Sequence, residues 1–437
     1  MMVIKLIIRV CCFIICLQVV PVLPANADEI ADGLAIELAA KFDALLIKPE
    51  DFQRKVRQEC KRFPEGDLFP YLLPALAYGH LADRTDEAER GPLLAKMAQL
   101  IELARPGVEK KTRAPDRDLM KLESYRGEGV YVCQLNMALS AYRMLGGKRF
   151  GDLNDHLSRQ IRNALRKRKG APLKSFATAT WPFDTIPCLV SLAWHDRVTG
   201  SADSTVVIEN HLEWVAKNGT EKATGLPFSR IEKGPQRPRG CDLSWRVALL
   251  AQIAPDRAKK LYRRYVKHFW LERFVAAGFA EWAGGSKGQR NNKLCVLGED
   301  RAAKSRRTDA GIPEGTSRRR NTEIVVRDRL KRASNFCAGS KGKTDHDSGP
   351  VFWGIGSAAS VLGLAAARAA GDDYRFARII AQVDKARAAI RELLVRNASA
   401  DRVLLGGMIP ISKGYVTGFL YGDAVLFYAV TYRVIAR

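Results

Sequence analysis

The sequence predicts an all-α protein, an (α/α)6 toroid or barrel of about twelve helices. Three observations carry this expectation. Apolar residues recur at three- and four-residue steps along most of the chain, glycine-containing turn signals separate many of those runs, and runs alternating apolar with polar residues are scarce.

The first run places Leu34, Leu38, Phe42, Leu45 and Leu46 on one face of a helix. Similar runs predict helices over 70–82, 91–104, 130–146, 151–166, 184–198, 205–217, 242–253, 256–276, 351–370, 374–396 and 422–435. Gly146-Gly147, Gly200-Ser201, Gly225-Leu226-Pro227, Gly371-Asp372 and Gly406-Gly407 supply breaks. Short extended pieces are expected around Leu404–Ile411, and Gly354-Ile355-Gly356 reads as close helix packing. Helices joined by short turns suit an inner ring wrapped by an outer one. No fixed-period repeat supports a solenoid instead. In a ring of this kind the helix starts at one mouth line a pocket.

The chain has 437 residues, 47% of them hydrophobic, enough for one large core or two smaller ones. Its 71 Lys and Arg against 47 Asp and Glu leave a net charge of +24. Such a balance suits a nucleic-acid partner, an anionic envelope surface or an acidic polymer. No basic-aromatic motif supports nucleic acid. Much of the excess comes from residues 286–344, where sixteen Lys and Arg meet six acids and periodicity stops. This stretch reads as a disordered insertion, a binding arm or the product of a reading-frame error, interrupting a single domain over 28–437.

Residues 1–27 read as an export signal. Lys5 and Arg9 precede or interrupt an apolar run from Ile7 to Leu23, and Ala25-Asn26-Ala27 is a small-x-small cleavage site. The expected location is therefore periplasmic or extracellular, with an uncleaved membrane anchor as the alternative. Six cysteines lie beyond the signal. Export permits disulfides, but Cys133, Cys188 and Cys241 each sit in apolar helical surroundings and read as small core residues. No Cys/His spacing matches a zinc site, and neither a metal nor a cofactor is expected.

Candidate catalytic residues are Asp184, Asp347 and Glu128. Asp184 follows Trp181-Pro182-Phe183, where neighbouring rings would desolvate a carboxyl and raise its pKa. Asp347, in Asp345-His346-Asp347-Ser348-Gly349, precedes an apolar helix, and Glu128 stands at the start of another. Each is also a plausible helix cap. His346 suits a base or an exposed side chain. Tyr131, Gln134, Trp181, Asp345 and Asp423 are candidate substrate-binding residues. Tyr131 and Trp181 would offer a stacking wall, or would simply pack the core. Gln134 and Asn136 are polar within an apolar run, and Asn136 suits a bond to a neighbouring backbone group.

Several matches, in order, run through the chain: Tyr131-x-x-Gln134-Leu135-Asn136-Met137 with Tyr142, Leu145, Gly147 and Arg149-Phe150; Asp184 through Val190-Ser191-Leu192 to Asp196-Arg197 and Gly200; Gly225-Leu226-Pro227-Phe228-Ser229 with Trp245, Ala248-Leu249, Tyr262 and Tyr265; Asp345 to Gly349 with Ala366, Arg368 and Gly371-Asp372; and Gly422-Asp423 before Leu426-Phe427. In these the chain resembles the linalool dehydratase-isomerase family over most of 125–285 and 345–435. The resemblance implies an exported α/α six-hairpin barrel. The position of that family's catalytic His holds Gln134, and those of its two catalytic Cys hold Ser175 and Asp184.

The expected function is therefore a metal-independent acid/base enzyme of lyase, hydratase or isomerase type. Asp184 and Asp347 would share proton transfer on a small-molecule or glycan substrate. A glycoside hydrolase or polysaccharide lyase acting on envelope glycans is one alternative. A non-catalytic protein binding an anionic envelope surface is the other. The sequence leaves the oligomeric state open.

Overall fold

The computed structural model describes residues 26–61, 65–124, 127–231, 236–272, 276–282, 351–352, 354–396, 402–405, 409–412 and 414–435. The expected export signal up to residue 25, the basic stretch 286–344 and the Asp345-His346-Asp347 cluster lie outside them.

The fold is all-α, with thirteen α-helices among the described residues. They are α1 (Ala27–Leu46), α2 (Pro49–Glu59), α3 (Phe69–Arg84), α4 (Gly91–Thr112), α5 (Gly129–Met144), α6 (Gly151–Lys167), α7 (Ile186–Thr199), α8 (Thr205–Asn218), α9 (Gly240–Ala251), α10 (Pro255–Phe269), α11 (Ser357–Ala370), α12 (Asp373–Arg396) and α13 (Leu420–Thr431). Three two-stranded antiparallel hairpins complete the described structure: β1 (Trp270–Glu272) with β2 (Ala277–Phe279), β3 (Val351–Phe352) with β4 (Ile355–Gly356), and β5 (Arg402–Leu405) with β6 (Ile409–Ser412). The last pair supplies the extended pieces expected near Leu404–Ile411.

Two kinds of helix alternate. In α5 every residue from Gly129 to Tyr142 is buried, and α3, α7, α9 and α13 are similarly enclosed. A helix apolar on all sides belongs inside. By contrast, α6 buries one stripe through Leu153, Leu157, Ile161 and Leu165, and α10 one through Ala258, Leu261, Tyr262, Tyr265 and Phe269. Their remaining faces are charged, so these helices lie outside. Adjacency follows the same division. Helix α3 packs on α5, α5 on α7, α7 on α9, α9 on α11, α11 on α13, and α13 returns to α3. At that return Arg84 Nη2 donates to Thr431 O at 3.3 Å. No helix of the described residues is long and apolar enough to cross a membrane.

One helix was not expected, and four expectations need correction. Helix α2 went unread, although Pro49 at its first turn, Glu50-Asp51 behind it and the apolar pair Phe52/Val56 are a complete start signal. The run expected over 256–276 ends at Phe269. Trp270 turns extended and pairs with Phe279, because Gly278 has no Cβ to strike Ser360 Oγ, which would lie 2.5 Å from it. The helix expected from 351 starts at Ser357. Gly354 takes φ +86° in the turn between β3 and β4, so the Gly-x-Gly motif makes a hairpin rather than a helix contact. Finally, Cys133 and Cys188 are not separate core thiols. They form a disulfide joining α5 to α7, while Cys60 and Cys241 take part in no disulfide among the described residues.

Candidate functional site

The starts of α5 and α7, two of the helix starts that the sequence singled out, meet at a lip formed by the connection from α6 to α7. Ser175 and Ala179 pair across a tight turn, and Trp181 N donates to Ser175 Oγ at 2.8 Å. Gly129 N donates to Lys174 O at 2.9 Å, which fastens the start of α5 to the lip. Pro182 then opens a 3₁₀ turn over Pro182–Thr185, and α7 begins at Ile186 rather than at Asp184. Thr185 Oγ1 accepts from Leu173 N at 2.9 Å and holds the turn against the lip.

This arrangement makes a wall of rings. Tyr131 meets Phe176 edge-on at 6.5 Å between centroids, and Phe176 meets Trp181 at 5.4 Å. The Arg230 guanidinium lies over Trp181 at 5.2 Å. Tyr131 and Trp181 are thus joined through Phe176, Tyr131 buried at 1% exposure and Trp181 half-buried. The Tyr131 hydroxyl also donates to Asp67 Oδ1 at 3.3 Å. Deeper in, Trp245 of α9 contacts Phe69 of α3 at 5.3 Å, Phe183 at 5.1 Å and Tyr428 of α13 at 6.0 Å. Neither α3 nor α13 is a neighbour of α9 in the packing order, so the indole reaches across the middle of the helix array.

Gln134 faces the same interior. Successive residues of a helix turn by about 100°. On α5, Tyr131 points toward Asp67 beside α3, and Cys133 points to Cys188 on α7. Gln134 projects between those two directions, together with Val130 and Met137. It is 1% exposed, and neither its Oε1 nor its Nε2 has a hydrogen-bond partner. Trp245 and Tyr428 are also buried, but there the indole N–H and the hydroxyl face each other. Buried amides in folded proteins are ordinarily paired, and an orphaned group costs about 1–3 kcal/mol. Asn136, two residues along, shows the ordinary state. Its Nδ2 donates to Ser158 Oγ and Ser191 Oγ, each at 3.0 Å, and its Oδ1 accepts from Asn154 at 2.9 Å. Asn136 therefore bonds neighbouring side chains, not the backbone group the sequence suggested.

The carboxylates divide by role. Glu128 is half-buried just before α5 and forms no side-chain cap. Burial pushes its carboxyl up, against the pull of Arg113 and Lys111. Asp184 is half-buried in the 3₁₀ turn. Asp423 is 1% exposed and accepts from Val416 N at 3.0 Å, Thr417 N at 2.7 Å and Thr417 Oγ1 at 2.7 Å, with Lys41 Nζ at 3.5 Å. These bonds tie the loop before α13 to its own helix and account for Asp423 without a ligand. Asp345 and Asp347 lie outside the described residues.

Sequence reasoning overlooked the start of α9. Glu281, 2% exposed, accepts from Arg239 Nε at 2.9 Å, Cys241 N at 3.3 Å and Cys241 Sγ at 3.2 Å. Asp242 pairs with Arg246 Nε at 2.9 Å, and burial pushes its carboxyl up despite that partner. The readable signal was Arg239-x-x-Asp242-x-x-x-Arg246, whose i,i+4 acid–base pair fixes one helix face. Arg230 gave no local signal, because only folding lays its loop along Thr180 and Trp181. Among the described residues no group of three or more His, Cys, Asp and Glu could hold a metal ion. No family model matches the chain, and no curated protein matches it.

Proposed function

We propose that the helices close into an α/α barrel whose mouth, at the starts of α5, α7 and α9, binds a small organic substrate for acid/base chemistry of lyase, hydratase or isomerase type. The closed packing order, from α3 around to α13 and back, supports the barrel. The alternation of enclosed and amphipathic helices supports it as well. The resemblance to linalool dehydratase-isomerases adds to that reading. Where that family places a catalytic His, this chain places Gln134, so its chemistry would have to differ in detail.

The observation that carries the reading is the unpaired Gln134 amide. It offers one acceptor and two donors to the interior, beside an aromatic surface, with no protein partner. A ligand hydroxyl or carbonyl would satisfy it. Asp184 at the lip would transfer the proton, and Glu128, raised by burial, would be its counterpart. Gln134 would orient the reacting group, and Tyr131 with Trp181 would cover its apolar part. Proton removal from carbon and departure of a neighbouring hydroxyl as water need one base and one acid, which two carboxyls in different protonation states provide. The same wall would also receive a sugar ring, which keeps a glycan-directed lyase as the second reading. The proposal includes export, so the N-terminus of the protein recovered from the cell envelope should lie at Asp28.

The test is solvent deuterium exchange. The full chain is incubated in D2O with a panel of hydroxylated and unsaturated small molecules and with glycans, and products are followed by NMR and mass spectrometry. Turnover that Asp184→Asn lowers by about 10²–10⁴-fold, in a variant that still folds, is the expected result. Full activity in Asp184→Asn and Glu128→Gln would sink the assignment.

A further inference from the structure

We infer that the ligand of this mouth carries an anionic group, a carboxylate or a phosphate, and that Arg230 is its receptor. The inference rests on the proposed reading of the mouth as a ligand site and specifies the ligand's chemistry.

Arg230 sits on the connection between α8 and α9. Its carbonyl accepts from Gln236 N at 2.9 Å, and the following residue, Ile231, donates its N–H to Thr180 O at 3.4 Å. The backbone is thereby laid beside Thr180 and Trp181, and the guanidinium lies over the indole at 5.2 Å. A cation–π contact consumes none of the N–H donors along the guanidinium's edge. That edge has no acceptor among the described residues. Its Nε is buried and unpaired, and no carboxylate of the described residues pairs with the group. By contrast Arg239 and Arg246, in the same part of the fold, hold Glu281 and Asp242 at 2.9 Å.

A buried, charged N–H without an acceptor is costlier than a neutral one. A planar carboxylate or a phosphate would accept from Nε and an Nη in parallel. The site has the length for a second function. From Arg230 the rings of Trp181, Phe176 and Tyr131 follow one another, and Gln134 lies one helical turn beyond Tyr131 on α5. An anionic head at Arg230, a flat or apolar body along the rings and a hydroxyl or carbonyl at Gln134 would satisfy both sets of unpaired groups together. Lys111 and Arg113, near enough to Glu128 to act on its carboxyl, add positive potential at the same mouth.

The test is titration of the full chain with benzoate, phenyl phosphate, benzyl alcohol and inorganic phosphate, read by tryptophan fluorescence and calorimetry. Benzoate or phenyl phosphate should bind at least about tenfold tighter than benzyl alcohol, the difference a charge-assisted bidentate contact supplies. Whichever of the two wins identifies the anion. Arg230→Gln should remove that preference, and Arg230→Lys should restore part of it by keeping the charge without the fork. The inference is overturned if Arg230→Gln, shown folded by circular dichroism, keeps the preference. It is equally overturned if benzyl alcohol binds as tightly, if inorganic phosphate matches phenyl phosphate, or if no probe binds up to about 10 mM. The two proposals fail separately. Loss of turnover in Asp184→Asn with an unchanged Arg230→Gln titration retires only the anion. A lost anion preference beside full activity in Asp184→Asn retires only the acid/base assignment.

Discussion

Two substitutions on α5, two residues apart, should move stability in opposite directions. Gln134→Leu replaces an amide whose two polar atoms are both buried and unpaired with an apolar group of similar volume. Removing that desolvation cost should stabilise the fold by about 1–3 kcal/mol. At ~2.1 cal/mol/K per residue the entropy of unfolding is ~0.9 kcal/mol/K for 437 residues, so the midpoint should rise by only ~1–3 °C. Asn136→Leu also swaps an amide for Leu, but it breaks three buried hydrogen bonds, to Ser158, Ser191 and Asn154, of which Ser191 keeps Cys188 O and Asn154 keeps Ser140 Oγ. That should cost about 2–5 kcal/mol. Urea denaturation followed by circular dichroism and by tryptophan fluorescence would resolve both changes, and coincidence of the two probes would check for two-state behaviour. Turnover or ligand binding should fall in Gln134→Leu even as stability rises, the usual opposition at a functional site. A Gln134→Leu protein less stable than the parent by 1 kcal/mol or more would refute the reasoning, since the amide would then have a partner.

Other outcomes follow from the same structure. Replacing Cys133 and Cys188 together by Ser opens a cross-link spanning 55 residues, and loop entropy puts the loss at about 4 kcal/mol; denaturation with and without reductant checks it. Burial holds both His80 and His211 near a pKa of about 3, while the unfolded chain protonates them near 6.5. Between those values the unfolded state carries the extra protons, so stability falls as pH drops through this window, by up to ~1.4 kcal/mol per pH unit for each ring. His80→Phe, set among Tyr428 and Tyr432, should remove about half of that slope between pH 6 and 4; an unchanged slope would show that His80 is not held neutral.

The helices were legible where the periodicity is strong and the turns carry glycine. Runs such as 151–166 and 205–217 became α6 and α8 with boundaries shifted by one residue. Legibility failed where three- or four-residue spacing continues through residues that pair as strands. The apolar run past Phe269 has helical spacing, but Gly278 and the neighbouring Ser360 decide its course, and they meet only in the folded chain. The site was half legible. Polar residues inside apolar runs flagged Gln134, and ring-rich Trp181-Pro182-Phe183 flagged the lip. The same logic could not separate Gln134 from Asn136, because only tertiary neighbours decide which amide is paired. Nor could it assign Asp423, since only the fold turns the amides of Val416 and Thr417 back onto its carboxylate. Cys133 and Cys188 looked alike as core residues because pairing is a property of two helices at once.

The contact between α13 and α3 sets a timetable for the nascent chain. Arg84 must wait for Thr431, 347 residues later, before its bond to that carbonyl can form. At ribosomal rates of 5–20 residues per second the interval is on the order of 20–70 s. Throughout it the all-round apolar helix α3 can pack on α4 and α5, but the side that receives α13 stays uncovered. It is therefore the segment most in need of protection by a holding chaperone, and a chain stopped before Leu420 should be found aggregated or degraded rather than as a smaller folded product.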